Sequence, residues 1–212
     1  MVVSIARDGA DRARSELERC IADGGVAIFP ADTLYGLACD PLSEPAVERI
    51  HRLKGRDEAK PSAVMFFAPL AMREILSTVG PRTRDALGTL LPGPVTAVVP
   101  NPEHRYPFAC REDPERLGLR LIEGPLAGAR CAVYQTSANR SGEPAPSRFE
   151  DIDPPILEGV DRAIDGGELG GAPSTVVDLT ALEGEGKWEV LREGALPVNE
   201  LNQHLSSVLS HH

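Results

Sequence analysis

Residues 11–30 read DRARSELERCIADGGVAIFP, and this stretch decides the fold class. Ala13, Leu17, Cys20 and Ile21 recur at helical spacing, which predicts a helix from Asp11 to Asp23 with one apolar face. Gly24-Gly25 stops it, since glycine reaches the left-handed backbone conformation that ends helices. Val26 to Phe29 then reads as a short buried strand closed by Pro30. Helical and extended signals continue to alternate along the chain, the mark of an α/β or α+β domain.

Working outward, Ser43 is placed to N-cap a second helix that presents Val47, Ile50 and Leu53 on one face. Ala63 to Phe67 is another apolar strand, followed by helical stretches at Pro69 to Ser77 and Pro81 to Leu91. Leu91-Pro92-Gly93-Pro94 is a rigid turn into the strand Val95 to Val99. Leu117 to Ile122, Ala132 to Gln135, Thr175 to Leu179 and Trp188 to Leu191 are further strand candidates. Two polar loops, Ser137 to Ser147 and Asp165 to Pro173, lie between them. Leu182 to Lys187 reads as a hairpin loop, and the stretch after Pro197 as a short helix or a frayed end. With no internal repeat and no low-complexity linker, one domain over residues 1–197 with a tail over 198–212 is expected.

The 212 residues carry 22 Lys plus Arg against 32 Asp plus Glu, a formal charge of −10. Apolar residues make up 42%, enough for a substantial core without disulfides or structural metal. The acidic balance argues against a protein that coats nucleic acid or anionic membrane by bulk charge, though it leaves room for a local basic cleft. No window approaches the roughly 18 consecutive apolar residues of a membrane span. The first residues, MVVSIARDGADRAR, turn charged at once and lack an apolar signal core, so a cytoplasmic protein is expected. Cys20, Cys39, Cys110 and Cys131 form no C-x-x-C pair and read as small buried hydrophobes. His211 and His212 read as the stub of a purification tag rather than metal ligands.

Two of the three lysines, Lys54 and Lys60, lie within the run HRLKGRDEAKP at 51–61. Lys54 and Arg56 straddle a glycine at a helix end, where both side chains can project towards one anion. Capping of the helix C-terminus by cations is the alternative. Gln135 to Gly142 (QTSANRSG) follows a strand and is dense in hydroxyl, amide and backbone donors suited to phosphate or ribose; such residues also satisfy their own backbone in ordinary loops. Asp165 to Thr175 is glycine-rich but matches neither the P-loop nor the dinucleotide fingerprint. Asp32, Thr33 and Tyr35 follow a strand and can line a cleft at its carboxyl end, or serve as turn residues. No histidine accompanies a serine in a recognisable nucleophile arrangement.

Taken in order, these segments resemble the YrdC family of threonylcarbamoyl-AMP synthases. The landmarks are PADTLYGLACD at 30–40, Lys54-Gly55-Arg56, LPGPVT at 91–96, LGLRL at 117–121, Ser137-Ala138-Asn139, PSTVVDL at 173–179 and LREG at 191–194. The resemblance implies an α/β domain: a twisted, open, mixed sheet with helices and a concave, positively charged cavity. It also implies a reaction joining L-threonine, bicarbonate and ATP, with Mg2+, into threonylcarbamoyl-AMP and pyrophosphate. A separate transferase complex then modifies transfer RNA. By motif position, Thr33, Arg120 and Ser174 are expected at threonine, Arg120 on its carboxylate. Lys54 and Arg56 are expected at the phosphates and the carbamate, with Lys60, Ser137, Asn139 and Arg192 at the nucleotide. Phosphates and water would hold Mg2+, with no dedicated protein cage.

The chain departs from the family pattern at PSAVM (61–65), where Met65 replaces a histidine and would leave a soft apolar wall near threonine. It departs again at Asp32, a shorter carboxylate than usual, and at Gln135-Thr136. Longer relatives carry a second C-terminal domain, for which this chain is too short. Two other functions fit less of the sequence. One is a related enzyme acting on another carbamate or on carbamoyl phosphate. The other is a module binding double-stranded RNA or transfer RNA, weakly given the charge, through Arg105, Arg111, Arg116, Arg140 and Arg148.

Overall fold

A computed structural model describes residues 1–55 and 61–210. Among the described residues ten strands form one mixed sheet: β1 (Val2–Ser4), β2 (Ala27–Pro30), β3 (Tyr35–Cys39), β4 (Ala63–Phe66), β5 (Val95–Pro100), β6 (Arg116–Leu121), β7 (Ala132–Ser137), β8 (Arg162–Asp165), β9 (Thr175–Asp178) and β10 (Glu189–Arg192). Their spatial order is β1-β8-β2-β3-β7-β4-β6-β5-β9-β10, an open sheet with β1 and β10 at its edges. Four pairs are parallel (β1 with β8, β2 with β8, β4 with β6, β5 with β9) and the rest antiparallel, so helical crossovers and tight turns both occur.

Because successive strand residues point to opposite faces, each strand feeds two cores. Ile28, Leu37, Val64, Phe66, Leu117 and Leu119 join the larger cluster. It is covered by the helices Glu44–Lys54 through Val47 and Ile50, Pro81–Leu90 through Leu87 and Leu90, and Val198–Leu209 through Leu201 and Leu205. On the other face, Ala27, Phe29, Met65 and Val133 pack with Ala13, Leu17 and Ile21 of the helix Ala10–Ala22.

The sequence-predicted helix and buried strand at 11–30 stand as Ala10–Ala22 and β2. Strands β1, β3 and β8 were not predicted. In β3 the sequence YGLAC shows no alternation because all five residues are buried. Gly36 is there because a Cβ would sit 2.9 Å from the Phe29 ring on β2. Pro69 to Ser77, read as one helical stretch, divides into a 3-10 turn at Pro69–Met72 and one α turn at Arg73–Leu76. Leu182 to Lys187, read as a hairpin loop, contains a helical turn at Leu182–Glu185 with Leu182 fully buried, between antiparallel β9 and β10. Ser43 sits at the N-cap position without a side-chain capping bond. After Pro197 the chain is helical, and its apolar face packs on the helix Pro81–Leu90.

Asp161 ties the two layers together. Its carboxylate accepts the Val26 N–H at 2.8 Å and Arg49 Nη1 at 2.7 Å. Burial pushes this carboxyl up, but the Val26 N–H and the Arg49 guanidinium outweigh it and hold it below the ordinary carboxylate range. Asp161→Ala should lower the urea unfolding free energy by about 1–2 kcal/mol at pH 7. A depressed carboxyl stabilises above its unfolded pKa of about 4 and loses that contribution as pH falls through the lower folded value. The difference between wild type and variant should therefore shrink on acidification below about pH 4.

All four cysteines are free, and three are buried. Burial pushes the Cys20 and Cys110 thiols up to about 11 and Cys131 up to about 12, and raises Cys39 as well. A thiol-disulfide reagent at about pH 8 should titrate none of them in the native protein and all four after denaturation, since only the thiolate reacts.

Candidate active site

On the face that carries the smaller core, the sheet opens beyond the helix Ala10–Ala22 into a cavity of about 550 Å³. Strand β6 explains its floor. In RLGLRL (116–121) the three leucines enter the larger core, while Arg116, Gly118 and Arg120 line the cavity. On β5, Val95, Ala97 and Val99 are likewise core, and Thr96 and Val98 face the cavity. Gly118 is the register partner of Ala63 on β4 and of Val98 on β5, so small or apolar side chains pave the centre. Segments at strand ends rise around it: Thr33 after β2, Ser137 and Asn139 at the carboxyl end of β7, Ser174 just before β9 and Arg192 at the carboxyl end of β10.

Six residues expected at substrate thus meet around one cavity: Thr33, Arg120 and Ser174 from the threonine set, and Ser137, Asn139 and Arg192 from the nucleotide set. Thr33, Arg120 and Ser174 are almost fully buried in its wall. The Arg120 guanidinium donates through Nη2 to Asp32 Oδ1. Arg120 Nε and Asp32 Oδ2 are buried with no hydrogen-bond partner among the described residues. Arg192 donates to the Ser174 carbonyl through Nη2 at 2.8 Å and to Ser174 Oγ at 3.2 Å, and Ser174 Oγ also pairs with Thr96 Oγ1 at 2.9 Å. Burial, and after it the positive charge of Arg120, lowers the Arg192 pKa from the usual guanidinium value. Two like charges facing one cavity favour an anion bound between them.

Lys54 does something the sequence did not indicate. At the last turn of the helix Glu44–Lys54 it is buried, and Nζ donates to the carbonyl of Ser137, to that of Asn139 at 2.7 Å and to Asn139 Oδ1 at 3.3 Å. Its own carbonyl accepts the Ser141 N–H at 2.8 Å. Asn139 Nδ2 in turn donates to the carbonyls of Arg140 and Glu143 at 2.8 and 2.6 Å. Lys54 and Asn139 therefore shape the loop that presents Ser137. Arg56 and Lys60 lie outside the described residues.

Met65 was expected as an apolar wall beside threonine. It stands opposite Arg120 in the β4–β6 register but is fully buried in the smaller core and does not line the cavity. Arg116, grouped in the sequence with arginines that could meet RNA, lines the cavity instead, paired with Asp178 and, at 3.4 Å, with Asp113. Of the other arginines in that group, Arg105, Arg140 and Arg148 each carry a carboxylate partner: Glu74, Asp153 and Glu150. Gly118 and Thr96 were missed as cavity residues. The alternation of leucine with Arg-Gly-Arg along 116–121, read at period two, was the signal that would have found Arg116 and Gly118.

Comparison with known proteins sets this geometry among relatives. A family model, Sua5/YciO/YrdC, described as "Telomere recombination", matches residues 19–194. Threonylcarbamoyl-AMP synthase of Pyrococcus abyssi is 32% identical over 203 residues, covering 90% of this chain. This chain spans only 56% of that relative's length. Threonylcarbamoyl-AMP synthase of Methylobacillus flagellatus is 32% identical over 175 residues, covering 79% of this chain and 95% of the relative. Among solved structures, P. abyssi Sua5 complexed with L-threonine superposes with a TM-score of 0.83 at 27% identity, over 96% of this chain and 60% of that one. E. coli YciO gives 0.77 at 26% identity, over 90% and 93%. With the same sheet along nearly its whole length and a family match over 176 of its 212 residues, from 19 to 194, the chain belongs to the Sua5/YciO/YrdC family.

Proposed function

We propose that this chain is a threonylcarbamoyl-AMP synthase. It joins L-threonine, bicarbonate and ATP into threonylcarbamoyl-AMP and pyrophosphate, and a transferase complex that modifies transfer RNA consumes the product. The convergence of Thr33, Arg120, Ser174, Ser137, Asn139 and Arg192 on one cavity carries this reading. A volume of about 550 Å³ lies within the usual range for small-molecule sites. Relatives that bear the synthase name, and a solved relative holding L-threonine, support ATP and threonine as substrates.

The chemistry requires two anions to be held together. Threonine's amine attacks the carbon of bicarbonate and water leaves, giving a carbamate. A carbamate oxygen then attacks the α-phosphorus of ATP, and the bond to pyrophosphate breaks. No covalent enzyme intermediate is needed; fixed cations and N–H donors position the partners and stabilise developing charge. Arg120, held by Asp32, takes the threonine carboxylate with its guanidinium. Arg192 fixes the backbone and hydroxyl of Ser174 at the carbamate. Lys54 holds the Ser137–Asn139 loop against the nucleotide, and Arg56 and Lys60 meet the phosphates.

Bound with ATP, Mg2+ would supply positive charge against the phosphates. Among the described residues no three His, Cys, Asp or Glu side chains group as metal ligands. The donor set fits a cation that arrives on phosphates and water, with Asp113 and Glu143 as the carboxylates lining the cavity.

Pyrophosphate release should require ATP, Mg2+, L-threonine and bicarbonate together. Release supported by carbamoyl phosphate instead would favour the related enzyme class. Lys54→Ala and Arg56→Ala should each lower kcat/KM by about 100-fold or more, the usual effect of losing a group that organises transition-state charge. Arg120→Gln should raise KM for L-threonine by about tenfold or more while leaving KM for ATP within about twofold, because a lost bidentate carboxylate partner weakens one substrate only.

A further inference from the structure

Gly118 occupies the middle of a central strand, where glycine weakens a sheet and contributes no packing. The backbone does not demand it: Gly118 is not among the glycines with positive φ. Nor, among the described residues, does the surrounding protein. A Cβ built there would meet Ala63 Cα at 3.4 Å, Ala63 Cβ at 3.5 Å and Thr96 Cγ2 at 3.6 Å, all ordinary van der Waals contacts. Gly36 differs, since its Cβ would strike the Phe29 ring at 2.9 Å. When neither conformation nor packing explains a strand glycine, close approach by something outside the chain does.

The register shows where that approach occurs. Gly118 lies between Arg116 and Arg120 on the cavity side of β6, with Ala63 beside it on β4 and Val98 on β5. Alternate strand residues are about 7 Å apart. An amino acid whose carboxylate lies against Arg120 has room to extend its remaining atoms over Gly118. What it meets there is apolar: the bare Cα, the Ala63 methyl and the Thr96 methyl. The Thr96 hydroxyl is turned to Ser174 Oγ at 2.9 Å.

We propose that Gly118 is a specificity-determining residue: together with Ala63 Cβ and Thr96 Cγ2 it forms the apolar seat for the side-chain methyl of the acceptor amino acid, favouring threonine over serine. This rests on the synthase reading. A methyl carried by the protein at position 118 would occupy the space that the substrate methyl needs. A hydroxymethyl side chain without that methyl would lose less.

The test is Gly118→Ala, with amino-acid-dependent pyrophosphate release measured for L-threonine and L-serine at saturating ATP, Mg2+ and bicarbonate, beside a thermal unfolding midpoint. The midpoint should equal or exceed that of wild type, which a merely structural role for the glycine would not allow. The kcat/KM for threonine should fall about tenfold, the effect of one overpacked methyl, and that for serine less than threefold, so the threonine-to-serine ratio drops by at least about threefold. An unchanged ratio, or an equal loss for both amino acids, overturns the proposal while leaving the synthase reading intact. Wild-type release that ignores the amino acid overturns the synthase reading, and the proposal with it.

Discussion

The constraint on which the rest of this molecule depends is that one sheet face is fully roofed by helices and the other only partly. Strand alternation converts that asymmetry into a site. Every second residue of β4, β5 and β6 is fixed in the larger core by packing beneath the helices Glu44–Lys54, Pro81–Leu90 and Val198–Leu209. The intervening residues then have no choice of direction, and those beyond the reach of the helix Ala10–Ala22 face a cavity. A one-residue slip in β6 would bury two arginines in the core and turn three leucines to the substrate side, so the core itself enforces the register of the site.

Charge inside the cavity is organised in the same manner, by groups set before any ligand arrives. Arg120 is held by Asp32, Arg116 by Asp178 and Asp113, and Arg192 by the Ser174 carbonyl. Each guanidinium is thus oriented, while the proximity of Arg120 and Arg192 keeps an incoming anion favourable. Such preorganisation suits a reaction in which a carbamate and a triphosphate must be brought together, because reorientation need not accompany the chemical step. Lys54 extends the principle to backbone: a buried ammonium satisfied by loop carbonyls fixes a turn that would otherwise leave those oxygens unpaired.

Much of this was legible in residue order. Helix and strand at 11–30 and the strands at 63, 95, 117 and 132 rest on local periodicity, and the meeting of Lys54 with Ser137 and Asn139 on motif spacing. Strand β3 escaped because total burial erases alternation, and β1 and β8 because three or four residues carry too little pattern. The helical turn at Leu182–Glu185 escaped because its composition is that of a loop, and one buried leucine holds it.

The sequence by itself determined which residues carry charge, hydroxyls and apolar periodicity, since these are properties of side chains and of their spacing along the chain. Tertiary structure decided where the charges act. Local pattern equally allowed Arg116 to join an RNA-facing group, Lys54 to cap a helix or meet phosphate, and Met65 to wall the threonine site. Strand pairing placed Arg116 in the cavity and Met65 in the core, and the approach of the Ser137–Asn139 loop turned Lys54 inward. These choices depend on contacts between residues from tens to more than eighty positions apart, whose energies no local window contains.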